Sequence, residues 1–219
     1  MRRVGILGGT FDPVHFGHLR PAVEVRAALD LEHLRLIPAR VSPLREQPGA
    51  DGHHRSAMLR AAVDGFPDLV VDERELGREG PSYTVDTLDS LAADLPDARL
   101  YLIMGADAFA RFERWHRWRA ILERTHIVVT HRPGAPLVVP HALEGRVEHD
   151  PAALADARAG SILVQPVTQL DISATAIRAA AAAGGDLRYL VPEAVRRYLE
   201  DHQLYDRKSP TADEHRNAG

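Results

Sequence analysis

The sequence predicts an α/β protein: a doubly wound parallel sheet with helices on both faces. Three observations carry this prediction. Short apolar runs of strand length alternate with segments whose apolar residues recur at helical spacing. The runs are nearly continuous in apolar residues, as at 34–38 (LRLIP), 100–104 (LYLIM), 127–130 (IVVT) and 161–164 (SILV), the pattern of strands covered on both sides. The first run, 4–7, ends on Gly8-Gly9 and gives way to a helical pattern, which is the strand–turn–helix unit from which such sheets are built.

Taken in order, residues 4–7 read as a strand. Leu19, Ala22, Val23 and Ala27 then mark a helix over 17–29. A second strand covers 34–38, and the Pro-, Gly- and charge-rich stretch 40–52 reads as a loop. A helix over 54–63 and a short strand at 69–71 follow. Val85, Leu88, Leu91 and Leu95 form one stripe of a helix over 84–95. The runs at 100–104, 127–130 and 161–164 supply three more strands. Alanine-rich 173–183 reads as a helix stopped by Gly184-Gly185, and 192–199 as a last helix with Pro192 in its first turn. Arg132-Pro133-Gly134, followed by Pro136 and Pro140, reads as a loop inside one domain. That domain is expected over 1–205, with 206–219 a polar, disordered tail.

Composition narrows the function. The chain has 219 residues, 45% hydrophobic and 26% charged, with a net charge of −4, so it reads as an ordinary globular chain. The charge balance argues against a general nucleic-acid or membrane-surface binder. With no cysteine there is neither a disulfide framework nor a thiol nucleophile. No apolar run approaches the ~20 residues of a membrane-spanning helix. The first apolar run is too short for a signal peptide, so a cytoplasmic location is expected.

Chemistry concentrates in Gly8-Gly9-Thr10-Phe11-Asp12-Pro13-Val14-His15-Phe16-Gly17-His18, where the first strand ends and the first helix begins. Ligands of doubly wound sheets bind at the carboxyl ends of strands. Adjacent glycines admit a phosphate close to the backbone, and the helix start offers free N–H groups to an anion. Two histidines three apart fall on one face of the first helical turn, where imidazole N–H groups can bind phosphate and stabilise developing charge. The stretch matches neither G-x-G-x-x-G nor G-x-x-x-x-G-K-[ST], so the dinucleotide-oxidoreductase and P-loop readings lose support. A plain glycine turn with surface histidines, or a zinc pair, would use the same residues. A second motif, Ile172-Ser173-Ala174-Thr175-Ala176-Ile177-Arg178, opens another helix. Ser173 suits an N-cap, and hydroxyls, N–H groups and a guanidinium together can cradle polyphosphate.

GGTFDPVHFGH resembles the signature of the HxGH nucleotidyltransferase superfamily, in the form typical of nicotinate-nucleotide adenylyltransferases. ISATAIR resembles the ISSTxIR motif of the same superfamily, with Ala174 where Ser is common. The resemblance runs from Val4 to Tyr205 and implies a Rossmann-like fold of nucleotidyltransferase type. It implies transfer of AMP from ATP to nicotinate mononucleotide, with Mg²⁺ arriving with ATP, no protein-held metal, and self-association left open. His18, with His15, would be catalytic. Gly8, Gly9, Thr10, Phe11, His15, His18, Arg45, Ser173, Thr175 and Arg178 would hold the ATP phosphates. Ser82, Tyr83, Thr84, Trp115 and His116 would hold the mononucleotide, Trp115 stacking on its pyridine ring, and Thr84 with backbone N–H groups near Trp115 and His116 taking its carboxylate. Gly105, Asp107 and Arg132 would face the nucleotides. Pro43-Leu44-Arg45 departs from the family's Pro-His-Lys or Pro-His-Arg: Arg45 keeps the cation, while Leu44 cannot act as a histidine. Three other readings use these residues: a different acceptor (nicotinamide mononucleotide or phosphopantetheine) or CTP as donor, a non-catalytic nucleotide sensor, and a metalloprotein drawing on the 12 histidines.

Overall fold

Residues 2–41, 48–132, 134–155 and 157–206 are described by the computed structural model. In chain order they form β1 (Arg2–Gly9), α1 (Phe16–Ala28), β2 (His33–Pro38), α2 (Gly52–Val63), β3 (Leu69–Val71), α3 (Thr84–Asp94) and β4 (Ala98–Gly105). Then come α4 (Ala106–Phe109), α5 (Trp118–Leu122), β5 (His126–His131), β6 (Val147–Glu148), β7 (Ile162–Pro166), α6 (Ala174–Ala182) and α7 (Glu193–Asp201). The strands make one sheet in the order β3-β2-β1-β4-β5-β7-β6, and every pair in it is parallel. Winding proceeds outward from β1 through β2 to β3, then returns to β4 on the other side of β1. The switch point therefore lies between β1 and β4, where a doubly wound sheet opens a crevice at its carboxyl edge.

The period-2 alternation of the strands divides the core between the two faces. Tyr101, Ile103, Val128 and Leu163 pack with α1, α2, α6 and α7. Their neighbours Leu100, Leu102, Met104, Ile127 and Val129 pack with α3 and α5 on the opposite face. Both faces are apolar, which is why these strands read as continuous runs in the sequence.

The larger elements lie where the sequence places them, with ends displaced by capping. α2 begins at Gly52, inside the stretch expected to be loop, because the Asp51 side chain accepts from the His54 N–H at 2.9 Å and caps the helix early. Pro192 precedes α7 as its N-cap rather than occupying its first turn. α4, α5 and β6 were not anticipated: none exceeds five residues, too few to show a helical or strand period. Short 3₁₀ turns at Phe112–Arg114, His141–Arg146 and Pro151–Ala155 went unread for the same reason. After β5 the Ala135 N–H donates to Arg132 O at 3.1 Å; Pro133 of the expected turn lies outside the described residues. Leu44, Arg45 and the tail from 207 lie outside the described residues. No helix of the described residues is long and apolar enough to cross a membrane.

Candidate active site

The first motif occupies the carboxyl end of β1, beside the switch point. The chain turns through Phe11, at φ 49°, and enters α1 at Phe16. His15 is therefore the N-cap, with extended backbone at φ −150° and ψ 169°. It does not lie within the first helical turn as the spacing predicts. Its ring still meets that of His18, because the extended backbone folds the imidazole back over Gly17. The two rings stack with centroids 3.7 Å apart, and Phe11 meets His18 edge-on at 5.1 Å. Gly17 is required by this approach: a Cβ there would lie 2.9 Å from His15 Nδ1 and 3.0 Å from the Ile172 carbonyl oxygen.

His15 is 5% exposed, and burial lowers its pKa from 6.5 to about 4. The ring is neutral at pH 7 and offers one N–H and one lone pair. Its Nδ1 has no hydrogen-bond partner among the described residues, and neither does the buried Thr10 Oγ1. Buried polar atoms rarely stay unpaired without a reason such as a ligand or a water. These two sit in one motif at the strand end where a ligand is expected.

The second motif is joined to the first. Ser173 caps α6 by accepting from the Ala176 N–H at 3.2 Å. Arg178 reaches back to the β1 turn, where Nη1 donates to Asp12 O at 2.8 Å and lies 3.5 Å from Asp12 Oδ2. Its Nη2 is 3.5 Å from Thr175 Oγ1. Asp12, 4% exposed, organises the turn: its carboxylate accepts from the Gly49 and Ala50 N–H groups at 2.7 and 3.0 Å and from the Tyr205 hydroxyl at 2.6 Å. Burial, then the bond to Asp12, raises the Tyr205 pKa, so its phenol stays protonated. Arg55, 1% exposed, donates to Thr10 O at 2.7 Å and Ala50 O at 3.1 Å.

A second cluster stands over the carboxyl edge at the start of α3. Tyr83 is the N-cap of that helix and Thr84 its first residue. Tyr83 and His116 stack with ring centroids 4.2 Å apart. Trp115 is half-buried and packs on Phe112 at 5.6 Å. The Trp115 N–H donates to Phe112 O at 2.9 Å, so this donor, expected to be open to a carboxylate, is already engaged. Ser82 is tied to the segment after β2: its N–H donates to Val41 O at 2.9 Å, and its hydroxyl accepts from the Arg40 N–H at 3.0 Å. Beneath this cluster lies Glu75, 7% exposed, which accepts from the Thr87 hydroxyl at 2.6 Å. Arg78 donates to the same hydroxyl at 3.2 Å. Burial raises the Glu75 pKa, against the bonds from Thr87 and Ser82 and the Arg78 charge.

Gly105 ends β4, and Asp107 stands exposed in the first turn of α4. Arg132 is exposed just past β5. Asp107 thus follows β4, which flanks the switch point, and Arg132 follows β5, the next strand outward, both on the same edge as the histidines. Asp12, Arg55, Glu75 and Tyr205 also build the site, though the sequence motifs do not single them out. Arg55 carried a readable signal, since it stands four residues before Leu59 on the apolar stripe of α2. Glu75 carried none, because a carboxylate in a charged loop looks like any solvated one. Among the described residues no group of three or more His, Asp or Glu is arranged to hold a metal ion.

Comparison with known proteins gives one family. Residues 6–180 match the cytidylyltransferase-like family model. The chain is 53% identical over 209 residues to a Halorhodospira halophila protein named "probable nicotinate-nucleotide adenylyltransferase", covering 94% of this chain and 96% of that one. A Pseudomonas putida (strain W619) protein of the same name is 49% identical over 210 residues, covering 94% and 95%. The fold is shared with Plasmodium falciparum nicotinic acid mononucleotide adenylyltransferase, solved in complex with NaAD: TM-score 0.72, 16% identity, 94% and 98% of the two chains covered. With relatives this similar along almost its whole length, and with both sequence motifs standing at the carboxyl edge of a doubly wound sheet, the chain belongs to the nicotinate-nucleotide adenylyltransferase family of cytidylyltransferase-like proteins.

Proposed function

We propose that this chain is a cytoplasmic enzyme that transfers the adenylyl group of ATP to nicotinate mononucleotide, giving nicotinate adenine dinucleotide and pyrophosphate for NAD synthesis. Family membership supports the reaction. The observation that carries the site assignment is the stacked His15–His18 pair at the end of β1, faced by α6 through the Arg178–Asp12 bond.

In this reading a 5′-phosphate oxygen of the mononucleotide attacks the α-phosphorus in line. The new P–O bond forms as the α–β bridging P–O bond breaks, and pyrophosphate leaves with that electron pair. A phosphate monoester is largely a dianion near pH 7, so the nucleophile needs no strong base. Catalysis rests on orientation and charge stabilisation. His18 donates to the α-phosphoryl oxygen as charge develops there. Neutral His15, Thr10 and the backbone at Gly8, Gly9 and Phe11 support the phosphates, and the N-terminus of α6, with Ser173, Thr175 and Arg178, takes the rest of the triphosphate. By the sequence resemblance alone, Arg45 would add a cation for the phosphates. Trp115, Tyr83 and His116 provide flat surfaces for the pyridine ring, Thr84 is a neutral donor for its carboxylate, and Ser82 anchors the segment that carries Thr84. Gly105, Asp107 and Arg132 face the nucleotides. Mg²⁺ arriving with ATP would be held mainly by the phosphates rather than by protein side chains and would supply charge neutralisation.

Incubating the chain with ATP, Mg²⁺ and nicotinate mononucleotide tests this reading. Dinucleotide and pyrophosphate in equal amounts are expected. Pyrophosphate or ADP without dinucleotide would overturn it.

A further inference from the structure

The sheet has a second opening, at the end away from the histidines. A cleft of about 850 Å³ is lined by residues that precede strands: Leu95, Ala98 and Leu100 around the start of β4, Leu122 to Arg124 ahead of β5, Arg146 ahead of β6, and Arg158 to Gly160 ahead of β7. That volume lies within the roughly 300–1,000 Å³ of small-ligand pockets. All the motif residues described above follow strands instead, so the cleft and the candidate active site lie at opposite edges of the sheet.

The lining is of two kinds. Ala98, Leu100 and Leu122 give an apolar floor. Around it stand Arg119, Arg124, Arg146 and Arg158, with Glu123 the one acidic residue of the lining. Glu123 lies 3.6 Å from Arg124, which also pairs with Asp89. The other three arginines have no carboxylate partner among the described residues. Arg146 donates to Gly160 O at 3.4 Å and Arg158 to Pro96 O, leaving most of the five N–H groups of each guanidinium uncommitted. The Arg119 guanidinium lies over the Trp118 ring, 4.3 Å from its centroid, and presents a flat cationic surface at the cleft. Forked guanidiniums match phosphate oxygens, and a planar guanidinium over an indole stacks on aromatic rings. An apolar floor beside them suits a ring rather than an inorganic ion.

We propose that this cleft binds a phosphorylated ring compound of mononucleotide size, its phosphate held by Arg146 and Arg158 and its ring set against Arg119 and the Leu100–Leu122 floor. The site is independent of the adenylyl-transfer reading, since none of its residues belongs to that machinery.

The chain has two tryptophans, so Trp115→Phe leaves Trp118 as the sole indole, and it sits at the cleft. The test titrates the full-length Trp115→Phe chain with AMP while following Trp118 fluorescence. A saturable change is expected, with affinity at least ~10-fold weaker once Arg146→Gln and Arg158→Gln are added together. Inorganic phosphate should bind more weakly than AMP. The proposal is overturned by no saturable change, by an affinity that survives loss of both arginines, or by phosphate binding as tightly as AMP. Should the double variant lose its fold by circular dichroism, Arg119→Gln takes its place: weaker AMP binding supports the site and unchanged binding overturns it.

Discussion

Arg178 Nη1 donates to the Asp12 carbonyl at 2.8 Å, across 166 positions of sequence. The bond fastens the helix opened by the second motif to the turn that carries the first. The Asp12 carboxylate holds Gly49, Ala50 and Tyr205 around the same turn. The two motif segments, which look independent in the sequence, are thus joined by hydrogen bonds, as the proposed catalysis by orientation requires.

His18→Ala removes the imidazole assigned to the developing charge. Turnover is expected to fall by at least ~100-fold, the scale of losing one transition-state donor, with the thermal midpoint little changed. Steady-state kinetics beside a melting curve check this. A loss below about tenfold in a folded variant would remove His18 from that role.

Gly17→Ala sets a methyl group against His15 Nδ1 and the Ile172 carbonyl. Neither is the far end of a flexible side chain, so the turn must shift. Urea denaturation should show a loss of about 1–3 kcal/mol, together with reduced activity from the displaced imidazole pair. Wild-type stability would mean that the approach of the two motifs is looser than described.

His15 gives a pH dependence with a definite sign. Its folded-state pKa is about 4 against an ordinary 6.5. Between these values the unfolded chain binds a proton that the folded chain does not, so stability rises with pH through the window. The contribution is complete above about 6.5 and lost as pH falls toward 4, worth about 3 kcal/mol at most. Urea unfolding at several pH values should therefore give a steeper acid-side decline for the wild type than for His15→Asn. Parallel curves would mean His15 is not buried as a neutral ring.

Glu75 accepts from Thr87 of α3, so its loss should displace the Ser82–Thr84 segment at the start of that helix. Glu75→Gln keeps an oxygen to accept from Thr87, whereas Glu75→Ala leaves Thr87 and Arg78 without it. The alanine variant is expected to raise KM for nicotinate mononucleotide by about tenfold, the effect of ~1.4 kcal/mol, with a smaller change in kcat. The glutamine variant should stay near the wild type. Equal drops in kcat for both variants, with KM unmoved, would place the carboxylate in the chemistry instead.

What the sequence disclosed follows its physics. Strands buried on both faces are apolar throughout, so β2, β4, β5 and β7 were visible as runs, and the order of runs and helices implied a parallel sheet. The glycine-rich turn and the His15–His18 spacing were visible because their residues are contiguous in the sequence, and glycines with donors at a strand end are the pattern expected of an anion site. α4, α5 and β6 were hidden by their shortness. The place of His15 outside α1 was hidden because an N-cap and a first-turn residue differ only in backbone dihedrals, not in spacing. The Asp12–Tyr205 bond joins residues 193 positions apart and leaves no local trace. The arginine-lined cleft escaped because its residues are scattered over four connections and converge only through the strand order.

The most direct test of the account compares two acceptors. Wild-type chain with ATP and Mg²⁺ receives nicotinate mononucleotide in one reaction and nicotinamide mononucleotide in the other, with dinucleotide and pyrophosphate both quantified. The account predicts equimolar products and a strong preference for the acid. Comparable rates with the amide would contradict the carboxylate pocket assigned to Thr84 and its neighbours, and no dinucleotide from either acceptor would contradict the adenylyl-transfer assignment itself.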